Sequence, residues 1–150
     1  MNIQGIRISD SKDNVLFVKL SDILEEIPYG FSLCWSILFL DGTPNQGEGR
    51  FLSEYQNRIN KSENGLRIDW KDLKSLSKKY FQMFETTILG CRDANLLHRF
   101  DDEKEMYHTC DIVIDLIDCA FWEVYSKDSV IIDNLNRKFK EIEILYRTRP

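Results

Sequence analysis

The chain lacks most of the short signatures from which chemistry is read directly. Its four cysteines, Cys34, Cys91, Cys110 and Cys119, include no Cys-x-x-Cys pair. That removes the usual structural-zinc and dithiol frameworks, and the apolar or strand-like context of each suits a reduced core or near-core thiol. Three prolines and seven glycines are too few for a linker-rich or repetitive protein, and no internal repeat is present. No apolar run approaches the ~20 residues that a bilayer-spanning helix needs. The longest apolar-rich stretch, Phe31 to Leu40, has the length of a strand, and Met1 to Arg7 carries no run suited to a signal peptide. A basic balance is missing too: the net charge is −5, which argues against non-specific binding to nucleic acid, since phosphate neutralisation needs clustered lysine and arginine. The glycines between Gly42 and Gly49 come without a Gly-Lys-Ser/Thr element, and no Gly-x-Ser-x-Gly elbow occurs. A phosphate cradle and a serine-hydrolase nucleophile therefore have no support.

What is present is enough apolar material for one packed domain covering residues 1–150. The hydrophobic fraction is 43% and the aromatic fraction 12%, which places the chain among folded proteins rather than disordered ones. The expected setting is soluble and cytoplasmic. Short strands are expected over Ile3–Ile8 and Val15–Val18, joined by a turn at Ser9–Asn14. Ser21 is expected to cap a short helix that Pro28 ends, and a strand over Phe31–Leu40 to lead into a loop from Asp41 to Gly49. Phe51, Leu52, Tyr55 and Ile59 recur at helical spacing up to a stop at Asn64-Gly65. Asp69 should cap a long helix whose inner face runs Trp70, Leu73, Leu76, Tyr80, Phe81 and Phe84, with Lys71, Lys74, Lys78 and Lys79 on a solvated outer face. Thr86–Leu89 reads as a strand and Arg92–His108 as a polar connection. Asp111–Tyr125 is strand-like nearly throughout, Ser126 or Asp128 can cap a helix bearing Ile131, Leu135 and Phe139, and Ile142–Tyr146 alternates as a closing strand. The expected class is α+β, with a mixed or mainly antiparallel sheet and three to four helices packed on it.

Charge is distributed unevenly. Asp93, Asp101, Asp102, Glu103, Glu105, Asp111, Asp115, Asp118 and Glu123 face only Arg99 and Lys104 within one stretch, a local formal charge of −7. Alternation along the strand sends Ile112, Ile114 and Leu116 one way and Asp111, Val113 and Asp115 the other. Asp118 falls on the core-side parity, so a bulge or turn is expected near Asp118-Cys119. If the isoleucines are buried, Asp111 and Asp115 stand on a solvent face. Phe100, Tyr107 and Trp122 lie close in sequence to these acids, and aromatic anchors ringed by charge are typical of protein-binding hot spots.

Catalytic readings are weaker. Asp102-Glu103-Lys104 with Asp93 superficially resembles the carboxylate–lysine set of a metal-dependent nuclease, but in loop-like sequence. His108-x-Cys110, with His98 nearby, does not have a structural-zinc spacing, and a core cysteine beside surface histidines accounts for it.

Asp111-Ile112-Val113-Ile114-Asp115, then Asp118-Cys119-Ala120-Phe121-Trp122-Glu123-Val124-Tyr125, then a capped helix ending Lys138-Phe139-Lys140-Glu141-Ile142-Glu143 resembles small bacterial toxin-immunity proteins, including those of contact-dependent growth inhibition systems. The segment from Gly65-Leu66-Arg67-Ile68-Asp69-Trp70 through Ile88-Leu89-Gly90 is compatible with the same type. The resemblance implies a non-enzymatic inhibitor that binds the C-terminal domain of a cognate toxin, commonly a nuclease, and covers its active site or substrate surface. No cofactor, no metal, no direct nucleic-acid binding and no membrane are expected. From charge, the expected partner-binding residues are Asp101, Asp102, Glu103, Glu105, Asp111, Asp115 and Glu123, with Phe100, Tyr107 and Trp122 as apolar anchors. The alternatives are a carboxylate- and metal-dependent hydrolase, and an acidic regulatory or adaptor subunit.

Overall fold

A computed structural model describes residues 2–148, with side chains from 4 to 146. The face to which alternation assigns Ile3 thus lies outside the described side chains. In chain order the elements are β1 (Asn2–Ile8), β2 (Ser11–Lys12), β3 (Val15–Leu16), α1 (Leu20–Leu24), β4 (Cys34–Pro44), α2 (Gly49–Lys61), β5 (Leu66–Ile68), α3 (Trp70–Ser77), β6 (Tyr80–Cys91), α4 (Glu103–Thr109), β7 (Ile112–Ile117), β8 (Phe121–Ser126), α5 (Ser129–Lys138) and β9 (Ile142–Thr148). Seven strands form one antiparallel sheet in the order β5-β4-β6-β7-β8-β1-β9, and β2 and β3 make a separate small hairpin. The class is α+β, as the sequence implies.

Strand alternation gives the sheet two unequal faces. Ile6 and Ile8 of β1, Trp35 and Ile37 of β4, Ile112, Ile114 and Leu116 of β7, and Trp122 and Val124 of β8 join the main core, which is closed by buried residues of α1, α2, α3 and α5. The opposite face carries a smaller cluster in which Leu89, Val113 and Tyr125 pack under Leu97, Met106 and Tyr107. Among the described residues, α4 and the segment leading to it are what cover this second face.

Several elements differ from the sequence reading. The helix capped by Asp69, whose carboxylate accepts from Asp72 N at 2.8 Å, stops at Ser77. Tyr80, Phe81 and Phe84 belong instead to β6, a 12-residue strand that pairs along nearly its whole length with β4. Cross-strand pairing with β4 over this part of the strand overrides the helical spacing. Likewise β4 runs on to Pro44 where a loop is expected from Asp41. Lys19, not Ser21, precedes α1, and Asp22 reaches back to its backbone N–H. The stretch Asp111–Tyr125 is a hairpin. Asp118 and Cys119 both take positive φ (49° and 58°), forming the tight turn that alternation requires there. The polar connection contains α4, which Asp102 caps by accepting from Lys104 N at 2.9 Å. Asp128 caps α5 through Val130 N.

The cysteines are also less uniform than expected. Cys91 and Cys110 are buried in the second cluster, Cys119 is half-buried, and Cys34 is exposed. Cys34 stands at the start of β4, before the strand has entered the core.

Candidate functional site

Strand register builds the candidate site on the second face. Phe39, Thr87, Asp115, Glu123, Arg7 and Glu143 fall in one row across β4, β6, β7, β8, β1 and β9. The adjacent row is apolar: Leu89, Val113, Tyr125, Gly5 and Leu145. It is the row that α4 covers. At Gly5 a Cβ would come within 2.6 Å of the Tyr125 ring, so glycine lets that ring lie flat on the strand. Tyr107 of α4 then stacks on Tyr125 with ring centroids 4.0 Å apart.

Where α4 ends its cover, the polar row opens into a concavity of about 610 Å³. Asp115 and Glu123 line its base, with Glu103 on the α4 side and Glu85 and Asp118 toward the hairpin end. Among the described residues Arg7 is the one cation in this lining. Its guanidinium donates to Glu123 Oε2 at 2.8 Å, lies 3.5 Å from Glu143 and rests over the Phe121 ring at 4.4 Å. Tyr125 donates its hydroxyl to Glu123 Oε1 at 2.9 Å.

Two carboxylates directly opposite one another on paired strands oppose folding unless neighbours compensate. Glu123 has Arg7 and Tyr125. Asp115 has weaker help, from the Thr87 hydroxyl and from Tyr107 at 3.5 Å. Burial is the main reason that its carboxyl rises from the ordinary 3.8 to about 6, with Glu103 and Glu123 adding to the effect. Burial and the neighbouring Asp115 push the Tyr107 phenol upward as well, so it remains a donor.

The residues singled out from sequence separate into three groups. Asp101, Asp102, Glu103 and Glu105 are exposed at the start of α4, Asp102 doubling as its cap. Asp115, Glu123 and Tyr107 meet at the concavity, but at 7%, 4% and 6% exposure they form its base rather than a projecting surface. The expectation that Asp115 stands on a solvent face is corrected by α4, which lies across that side. Asp111 is remote from this group. It is half-buried before β7 begins, accepts from Arg92 N at 2.8 Å and shares a different depression with Tyr29 and Asp128. Phe100 is half-buried against the second cluster, 4.1 Å from the His98 ring.

Trp122 is a plain correction: it is 1% exposed in the main core, donates to Val18 O at 2.9 Å and offers no surface to a partner. Alternation already implies this, since Trp122 shares parity with Val124 and Glu123 takes the other face. Sequence reasoning missed Arg7, Glu85 and Thr87. The last two follow once β6 is recognised as a strand.

Among the described residues no group of three or more His, Cys, Asp or Glu is arranged to hold a metal ion, and no helix is long and apolar enough to cross a membrane. The site can offer a carboxylate-rich hollow rimmed by an acidic helix start. No protein-family model, curated protein or solved structure matches the chain.

Proposed function

We propose that this protein is a binding protein of the immunity type, which neutralises a basic toxin domain by covering its active site or substrate surface with the acidic second face. The observation that carries this reading is the gathering of Asp101, Asp102, Glu103 and Glu105 beside the hollow lined by Glu85, Asp115, Asp118 and Glu123, where Lys104 on the helix and Arg7 in the hollow leave a large excess of negative charge. Such a surface mimics the spaced negative charge of a nucleic-acid backbone, so a nuclease would meet carboxylates where it otherwise meets phosphates. Complementary fields speed association, and desolvated pairs with arginine or lysine slow release. The exposed acids at the start of α4 supply the long-range attraction. The floor of the hollow receives one or two side chains.

Affinity capture from the source cell, with partners identified by mass spectrometry, tests this reading. A stoichiometric basic domain from the end of a large exported protein, neutralised on mixing with this chain, is the expected result. A stoichiometric housekeeping partner, or a captured toxin whose activity is unaffected, would replace the reading with that of an acidic adaptor.

A further inference from the structure

We infer that a second site, independent of the acidic hollow, binds an aromatic anion: a flat ring system bearing a carboxylate, sulfonate or phosphate. It is a groove of about 800 Å³ on the main-core side of the sheet, lined by α2, by the edge strand β5 and by α3. Phe31 is 76% exposed and Phe51 48%, and both line this one groove with half-buried Tyr55 and Trp70. Folding alone gives no reason to leave large aromatic rings uncovered around one groove, and exposed apolar surface gathered in a groove marks binding sites. The wall is held rigidly. Trp70 stacks on Trp35 at 5.2 Å, Trp35 donates its indole N–H to Gly30 O at 2.7 Å, and Gly30 packs so tightly that a Cβ there would lie 2.4 Å from Trp70.

Charge selects the sign of the ligand. Arg58 lies 5.8 Å over the Tyr55 ring, is exposed, and forms no ion pair with a described residue. Lys79 sits 5.3 Å over Phe51 and 3.5 Å from Glu48. Asp69 and Asp72 also line the groove, but Asp69 is engaged as the cap of α3, and Asp72 lies in that helix's first turn, where the dipole favours it. A guanidinium laid beside open aromatic faces suits a ring that stacks while its acidic group pairs with Arg58. The chain as a whole carries −5 and repels anions. A preference for an anion therefore has to come from this local arrangement.

The test titrates the full chain with naphthalene-2-sulfonate, neutral naphthalene-2-methanol and cationic 2-naphthylmethylammonium, following the indole N–H signals by two-dimensional NMR. The expected result is a saturable shift of Trp70 with Trp122 unmoved, and an anion bound about tenfold more tightly than the neutral ring, as one charge-assisted contact provides. Arg58→Ala should erase that preference, Arg58→Lys should keep part of it, and Phe51→Ser should weaken all three ligands. Both positions are exposed enough for the variants to fold, which circular dichroism checks. Glu103→Lys, on the opposite face, should leave binding unchanged. Absence of a saturable Trp70 shift, a cation bound as tightly as the anion, or an anion preference that survives Arg58→Ala would each overturn the assignment.

Discussion

Asp115 shows how a single buried carboxyl ties stability to pH. Its folded-state value of about 6 exceeds the ordinary 3.8, so between those two pH values the folded protein holds a proton that the unfolded chain has released. This group therefore favours folding in acid, and that contribution is lost as pH rises through about 6. The gap corresponds to at most about 3 kcal/mol. Asp115→Asn should accordingly raise stability at pH 8 by about 1–3 kcal/mol, with the gain vanishing near pH 4, as read from urea denaturation at several pH values. A variant less stable than the parent at pH 8 would mean that the surroundings compensate the charge. Gly5 is the complementary case. Gly5→Ala drives a methyl into the Tyr125 ring and should destabilise the protein by about 1–3 kcal/mol. Chemical denaturation checks this, and an unchanged midpoint would show that the ring can move aside. Asp115 on the face opposite the isoleucines of β7 is legible from alternation. Its burial is not, because the sequence of the helix that buries it has the composition of a charged loop.

At the scale of elements, local signals and pairing compete, and pairing decides. The stripe Trp70, Leu73, Leu76 was read correctly as helical, and Asp69 caps it as its residue type implies. The aromatics whose spacing extends the stripe sit in β6 because β4 pairs with that part of the strand. No local feature of Tyr80–Phe84 records that demand. α4 is hidden in the sequence for the opposite reason. It is seven residues long, and only Met106 and Tyr107 are buried, too few positions to display a period. The β7–β8 turn was legible, since parity demanded a break at Asp118-Cys119. Its two positive φ values suit glycine better than cysteine. Cys119→Gly should therefore stabilise the hairpin by about 0.5–1 kcal/mol, visible as a higher urea midpoint. A lower midpoint would show that the half-buried Cys119 side chain contributes more by packing than it costs in backbone strain.

Across the whole molecule, negative charge is concentrated on one face of the sheet, while Lys71 and Lys74 of α3 and Lys78 just after it stand exposed on the other side. A charge distribution of this kind orients the chain before contact, so its effect belongs mainly to the association rate. The informative variant removes attraction without unfolding the helix that carries it. Asp102 is left in place because its carboxylate caps α4, and the reversals are made at Asp101 and Glu105, both exposed. Asp101→Lys with Glu105→Lys should slow association with the captured basic partner by about 10- to 100-fold at low salt. At ~1 M salt, where screening acts within about 3 Å, the difference should shrink to a few-fold. Glu105 lies in the first turn of α4, so a small loss of helix stability is expected, and the matching Asp101→Asn, Glu105→Gln variant separates it from the field effect. If the neutral and reversed variants bind at the same rate as the parent at every salt concentration, the start of α4 takes no part in steering, and recognition has to be sought in the hollow.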